Sequence, residues 1–207
     1  MNNQTTEVVF LLDKSGSMHG LEESTIKGYN DFIDSQKREE GDCLVTAYLF
    51  STDLKKIHSH QDIHDIPPME IEDYVPKGCT ALYDSIGKAI GEVDGYLEEV
   101  GRKRNIIFVI ITDGLENASR IYDAKSVHSM IERKKKCDWK FLFLGSNFDV
   151  KTEAEKIGLD DDDCVSYQNT EIDIKKNFAA IGKAVRMERR MGFVDPGWKK
   201  YVKKQYI

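Results

Sequence analysis

Two uninterrupted apolar runs constrain this chain most. Residues 8–12 lead directly into Asp13, and residues 106–111 lead through Thr112 into Asp113. A run of apolar and β-branched residues without polar alternation suits a strand buried on both faces, as strands are in a parallel sheet. In such a sheet the functional edge lies beyond the carboxyl ends of the strands. Two strands that each end at an aspartate therefore bring two carboxylates to one edge.

The remaining periodicity completes the architecture. Ile26, Tyr29, Phe32 and Ile33 mark one helical face after the first run, and Leu82, Ile86, Ala89, Ile90, Val93 and Leu97 mark another after residue 81. Residues 44–50 read as a second strand. Residues 54–59 alternate after a short turn and predict an antiparallel edge strand. Residues 61–79, with Pro67, Pro68, Pro76 and Gly78, form a loop-rich crossing. Further strands are expected at 141–144 and 165–167. Helices are expected around Val127 and Ile131, at 151–157, and over residues 171–191, where Ile174, Phe178, Ile181 and Val185 share a face. Strands alternating with helices predict one doubly wound, mainly parallel α/β sheet, Rossmann-like, with helices on both faces. No linker or repeat divides residues 1–207, so a single domain with a basic extension at about 190–207 is expected.

With 207 residues, 40% of them hydrophobic and 32% charged, the chain is large enough to bury a core without disulfide staples. The net charge of −6 argues against a nucleic-acid binder. Residues 183–207 carry eight basic residues against Glu188 and Asp195, a net +6, which leaves −12 for residues 1–182. Two readings of that tail stand: a solvated helix end that suits the helix dipole, or a surface for an acidic partner. Cys43, Cys79, Cys137 and Cys164 form no C-x-x-C pair. With no apolar stretch of membrane-spanning length and no basic leader before the first strand, a reducing cytoplasm is the expected compartment. His58 and His60 are expected exposed on one face of the edge strand, and Asp160–Asp163 is expected to be an acidic surface turn.

The chemistry gathers after the two strand-end aspartates. Asp13, Ser15 and Ser17 alternate in a tight loop around Gly16, offering one carboxylate and two hydroxyls, and Asp113 adds a second carboxylate. Oxygen donors of this kind suit a hard cation such as Mg²⁺, with Mn²⁺ or Ca²⁺ as alternatives, over zinc. Asp-Lys-Ser-Gly-Ser at 13–17 resembles the D-x-S-x-S element of von Willebrand factor type A domains. Gly-Cys-Thr-Ala-Leu-Tyr-Asp at 78–84 looks like that family's threonine loop, and Ile-Thr-Asp-Gly-Leu-Glu-Asn at 111–117 looks like its final loop. The resemblance covers residues 7 to about 185. It implies a metal ion-dependent adhesion site formed by Asp13, Ser15, Ser17, Thr80 and Asp113, with Cys79 standing where relatives commonly carry glycine. It also implies a non-enzymatic module in which the metal accepts an Asp or Glu carboxylate from a protein partner.

Asp84 and Glu116 lie beside these loops and are expected to support them. An alternative is Mg²⁺-dependent phosphoryl transfer through Asp13. That chemistry wants a second aspartate two residues on, where this chain has Ser15. The first loop has neither glycine-rich nucleotide-binding pattern.

Overall fold

The computed structural model describes residues 4–146 and 149–203. In chain order the elements are β1 (Thr6–Asp13), α1 (Glu22–Lys37), β2 (Cys43–Phe50), β3 (Leu54–Asp62), α2 (Leu82–Val100), β4 (Asn105–Thr112), α3 (Ala124–Lys135), β5 (Lys140–Gly145), α4 (Val150–Lys156), β6 (Cys164–Ser166), α5 (Glu171–Met191) and the short α6 (Lys200–Lys203). The strands form one sheet in the order β3-β2-β1-β4-β5-β6. All pairings are parallel except that of β2 with the edge strand β3. This is the mainly parallel, doubly wound α/β arrangement expected from the sequence.

Alternation along β1 feeds both sides of the sheet. Val8, Phe10 and Leu12 join Tyr29, Phe32, Phe178 and Ile181 beneath α1 and α5. Val9 and Leu11 join Ile86, Ile90, Val93, Val127 and Ile131 beneath α2 and α3. Strands with two covered faces need apolar residues at every position, which is why these segments read as continuous runs. The helices α1 and α5 approach closely, because a Cβ at Gly28 would lie 2.3 Å from the Phe178 ring.

The edge strand differs from its sequence reading. It extends to Asp62, past the expected end at residue 59, and it contains a bulge. Ala47 pairs with His58, whereas Val45 pairs with Gln61. His60 takes up the extra residue at φ 49°, and its amide donates to Thr46 Oγ1 at 2.9 Å. A bulge breaks the two-residue alternation, so the two histidines face opposite ways. His58 stacks on Tyr29 of α1 at 6.4 Å, and His60 stacks on Tyr96 of α2 at 3.5 Å. Both are half-buried, and neither is the exposed, same-face residue that simple alternation predicts.

The basic tail is also less solvated than its composition suggests. Arg189 is buried and donates to the backbone carbonyls of Gln36 in the last turn of α1 and of Glu39, Glu40 and Gly41 beyond it. Arg186 and Arg190 pair with Glu39. Lys199 reaches Asp161 and Asp162 in the acidic turn, and the buried Trp198 donates to Asp162 O at 3.0 Å. The tail's Lys204 lies outside the described residues.

Candidate metal centre

Sheet register assembles the centre. Because β1 and β4 run parallel with Leu12 beside Ile111, one further step sets Asp13 against Thr112 at the carboxyl edge. Thr112 Oγ1 donates to Asp13 Oδ2 at 2.6 Å, and the Ser15 amide donates to Asp13 Oδ1 at 2.7 Å. The second contact folds the loop back on its own aspartate, as short polar side chains do in turns. Ser15 Oγ then lies 3.1 Å from Ser17 Oγ, and Ser17 Oγ donates to Asp113 Oδ1 at 2.5 Å. Asp113 Oδ2 accepts from Asn169 Nδ2 at 3.0 Å.

Thr80 reaches the same place from a more distant segment. Its loop is held by backbone bonds from Gly16 N to Gly78 O, Lys77 N to Lys14 O and Ala81 N to Ser51 O. Thr52 Oγ1 accepts from Cys79 N at 2.9 Å, and Asn117 Oδ1 accepts from Thr80 N at 2.9 Å. A Cβ built on Gly114 would lie 3.1 Å from Thr80 Oγ1 and 3.6 Å from Ser17 Oγ, so both hydroxyls converge beside Asp113. All five residues expected from the sequence thus come together. Asp13, Ser15, Thr80 and Asp113 are buried, and Ser17 lies on the exposed side.

The electrostatics are uncompensated at Asp13. Its donors are a hydroxyl and an amide, and among the described residues no basic side chain forms an ion pair with it. The adjacent Lys14 turns away, giving its ammonium to Ser51 Oγ at 3.2 Å and to Asp53 Oδ1 at 3.0 Å. Burial pushes the Asp13 carboxyl up to about 6 against the pull of Thr112 and Ser15, and the charge of Asp113 adds to the rise. Burial raises Asp113 as well. Two buried carboxylates facing three hydroxyls form an oxygen-only donor set that fits a hard divalent cation. Among the described residues no three His, Cys, Asp or Glu side chains gather around a metal position; the hydroxyls carry the difference.

Several contributors escape a sequence reading. Thr112 sits beside the expected Asp113, but its bond to Asp13 spans 99 positions. Asn169 and Thr52 carry no local signal. Tyr74 donates its hydroxyl to Asp13 O from within the loop-rich crossing. Asp84 and Glu116 are loop supports, as expected. Asp84 accepts from the amides of Arg120, Ile121 and Tyr122, and Glu116 accepts from those of Tyr83, Ala118 and Ser119.

Comparison with known proteins places this edge in a family. Residues 7–180 match the von Willebrand factor type A domain. The von Willebrand factor domain of the type V pili tip protein Mfa5 from Porphyromonas gingivalis superposes over 94% of this chain and 99% of its own, with a TM-score of 0.69 and 10% identity. Manganese-loaded TRAP protein from Plasmodium vivax superposes over 85% of this chain and 74% of its own, at 0.56 and 16%. Proximal thread matrix protein 1 from the mussel byssus, with a zinc-occupied MIDAS motif, superposes over 89% of this chain at 0.62 and 16%. The chain spans 46% of that mussel protein's length. At these identities the likeness is one of fold, and no curated protein matches the sequence. With the family match running from the first strand into the last long helix, and the fold shared with these domains, the chain belongs to the von Willebrand factor type A domain family.

Proposed function

We propose that this domain is a metal-dependent protein-interaction module. Asp13, Ser15, Ser17, Thr80 and Asp113 would hold one divalent cation, Mg²⁺ first and Mn²⁺ or Ca²⁺ as alternatives. The observation that carries the reading is the convergence of two buried carboxylates and three hydroxyls at the sheet edge, with no basic side chain among the described residues pairing Asp13. A bound cation supplies a positive point able to accept an Asp or Glu carboxylate from a partner, a charge-assisted contact stronger than a neutral one. Support comes from the manganese-loaded TRAP protein and the mussel protein with a zinc-occupied MIDAS motif, which share this fold. The same reading treats residues 1–207 as one domain. It also places the chain in the cytoplasm, where four unpaired cysteines would remain reduced.

The protein's own groups set the site's properties. Thr112 and the Ser15 amide fix the Asp13 carboxylate, Asn169 fixes that of Asp113, and the hairpin residues Ser51 and Thr52 hold the threonine loop. A pull-down from native lysate tests the reading with wild type and Asp13→Ala, each in Mg²⁺ and in EDTA. Partner capture is expected only for wild type in Mg²⁺. Equal capture in all four conditions contradicts the reading, as does Mg²⁺-dependent phosphatase turnover that Asp13→Asn abolishes.

A further inference from the structure

We infer that Lys14, which gives the metal centre no donor of its own, is a positioning residue for it: through Asp53 it fixes the turn that carries the Thr80 loop. The inference rests on the metal reading above and concerns how one oxygen donor is held in place. Lys14 is only 5% exposed, and a buried ammonium is costly unless it is paired. Its Nζ donates to Ser51 Oγ at 3.2 Å and to Asp53 Oδ1 at 3.0 Å. Ser51 Oγ donates to the same Asp53 oxygen at 2.9 Å. The three side chains close a triangle between the first loop and the turn that joins β2 to β3. Among the described residues no other hydrogen bond links residues 14–17 to residues 51–53.

The same turn holds Thr80 from both sides along the chain. Cys79 N donates to Thr52 Oγ1 at 2.9 Å, and Ala81 N donates to Ser51 O at 2.8 Å. The amide of Thr80 itself goes to Asn117 Oδ1 in the final loop. Lys14 stands between Asp13 and Ser15, so its bond to the turn links two of the five donors to a third. A displaced turn moves the Thr80 hydroxyl away from the others without altering any ligand. Groups that orient metal ligands from behind change affinity by roughly 10–100-fold when removed. A plain charge effect has a different signature. Losing the Lys14 cation would then strengthen Mg²⁺ binding, and losing the Asp53 anion would weaken it. A positioning role makes both losses weaken it.

Two measurements on Lys14→Met, Asp53→Ala, their double variant and Lys14→Arg decide the matter. In Mg²⁺ calorimetry each of the first two variants is expected to bind roughly tenfold more weakly than wild type. The double variant is expected to be no weaker than either single one, since both break one link. Lys14→Arg keeps a cationic donor for Asp53 and is expected to stay near wild type. In EDTA, amide hydrogen exchange at Cys79 and Ala81 is expected to quicken in Lys14→Met and Asp53→Ala, while the core amide of Ile110 keeps its wild-type rate. Asp53 is 66% exposed along its side chain, so Asp53→Ala carries the exchange test alone if Lys14→Met does not fold. Tighter Mg²⁺ binding by Lys14→Met, additive losses in the double variant, or unchanged exchange at Cys79 and Ala81 overturns this inference and leaves the metal reading standing. No Mg²⁺ binding by wild type overturns the metal reading and this inference with it.

Discussion

The first strand begins and ends with a buried carboxylate, and the two are treated in opposite ways. Glu7, at the start of β1, accepts from Arg104 Nη1 at 2.7 Å, His60 Nδ1 at 2.6 Å and Thr46 Oγ1 at 2.7 Å. Burial alone would raise its carboxyl, yet His60, Thr46 and Arg104 together hold it below its ordinary value. Tyr96 stacks on His60 and lies beneath the Arg104 guanidinium, sealing the cluster. Asp13, at the other end of the same strand, has only neutral donors among the described residues, and burial raises it to about 6. A buried charge is tolerable when paired within the protein and costly when left alone. The amino edge of the sheet thus closes its own electrostatics, whereas the carboxyl edge leaves negative charge for a ligand to balance.

The largest effect that could break this contrast lies at the amino edge. Arg104→Ala removes the guanidinium from a carboxylate with no exposed surface and is expected to cost about 3–5 kcal/mol in urea unfolding. Because Glu7 is held low, wild-type stability from this cluster is present above the ordinary glutamate range and is lost as pH falls through the lowered value. The Arg104→Ala variant should keep part of that acid dependence, because His60 and Thr46 still act on Glu7. A destabilisation below about 1 kcal/mol would mean Arg104 does not neutralise Glu7.

A smaller loss is expected where the threonine loop turns. Gly78 has φ +78°, and a Cβ there would meet Thr52 Oγ1 at 2.7 Å. Gly78→Ala should cost about 1–3 kcal/mol in stability and weaken Mg²⁺ binding by displacing Thr80. Adding Thr52→Ala removes the crowded Oγ1; any recovery over Gly78→Ala alone, despite the lost bond to Cys79 N, would show that crowding contributes.

Asp13→Asn sharpens the contrast by reversing its sign. Without metal the variant should be more stable than wild type by about 1 kcal/mol, since an amide replaces a carboxylate raised by burial. Thr112 Oγ1 can then accept from the new amide and keep its bond to Gly114 O. Thermal melts in EDTA check this; a variant less stable than wild type would place the strain elsewhere.

Glu188 offers the mildest case. It is buried on α5, its Oε2 has no hydrogen-bond partner among the described residues, and burial raises its carboxyl. Ionising it opposes folding, so its contribution is full below the ordinary glutamate range and is lost as pH rises through the raised value. Glu188→Gln should add about 0.5 kcal/mol at neutral pH and nothing near pH 4, measured as urea midpoints at both. An equal gain at both pH values would remove ionisation as the cause.

The contrast between the two edges also marks what sequence can show. Asp13 and Asp113 were legible because buried parallel strands announce themselves as apolar runs and their last residues must reach one edge. Thr80 needed the resemblance, because its loop approaches through bonds to Ser51, Thr52 and Asn117 that no spacing reveals. Nothing local ties Glu7 to Arg104, 97 positions away, and the His60 bulge depends on Thr46 in the neighbouring strand. Periodicity reports burial within one element; it is silent on which polar groups from distant elements will meet.

The central claim is that the carboxyl edge holds a cation that the amino edge does not need. Isothermal calorimetry of Mg²⁺ into wild type and Asp13→Asn tests it most directly. One ion per chain is expected for wild type, with at least a hundredfold weaker binding in the variant, about 2.7 kcal/mol. Absent binding in wild type, or equal binding in both, would contradict it.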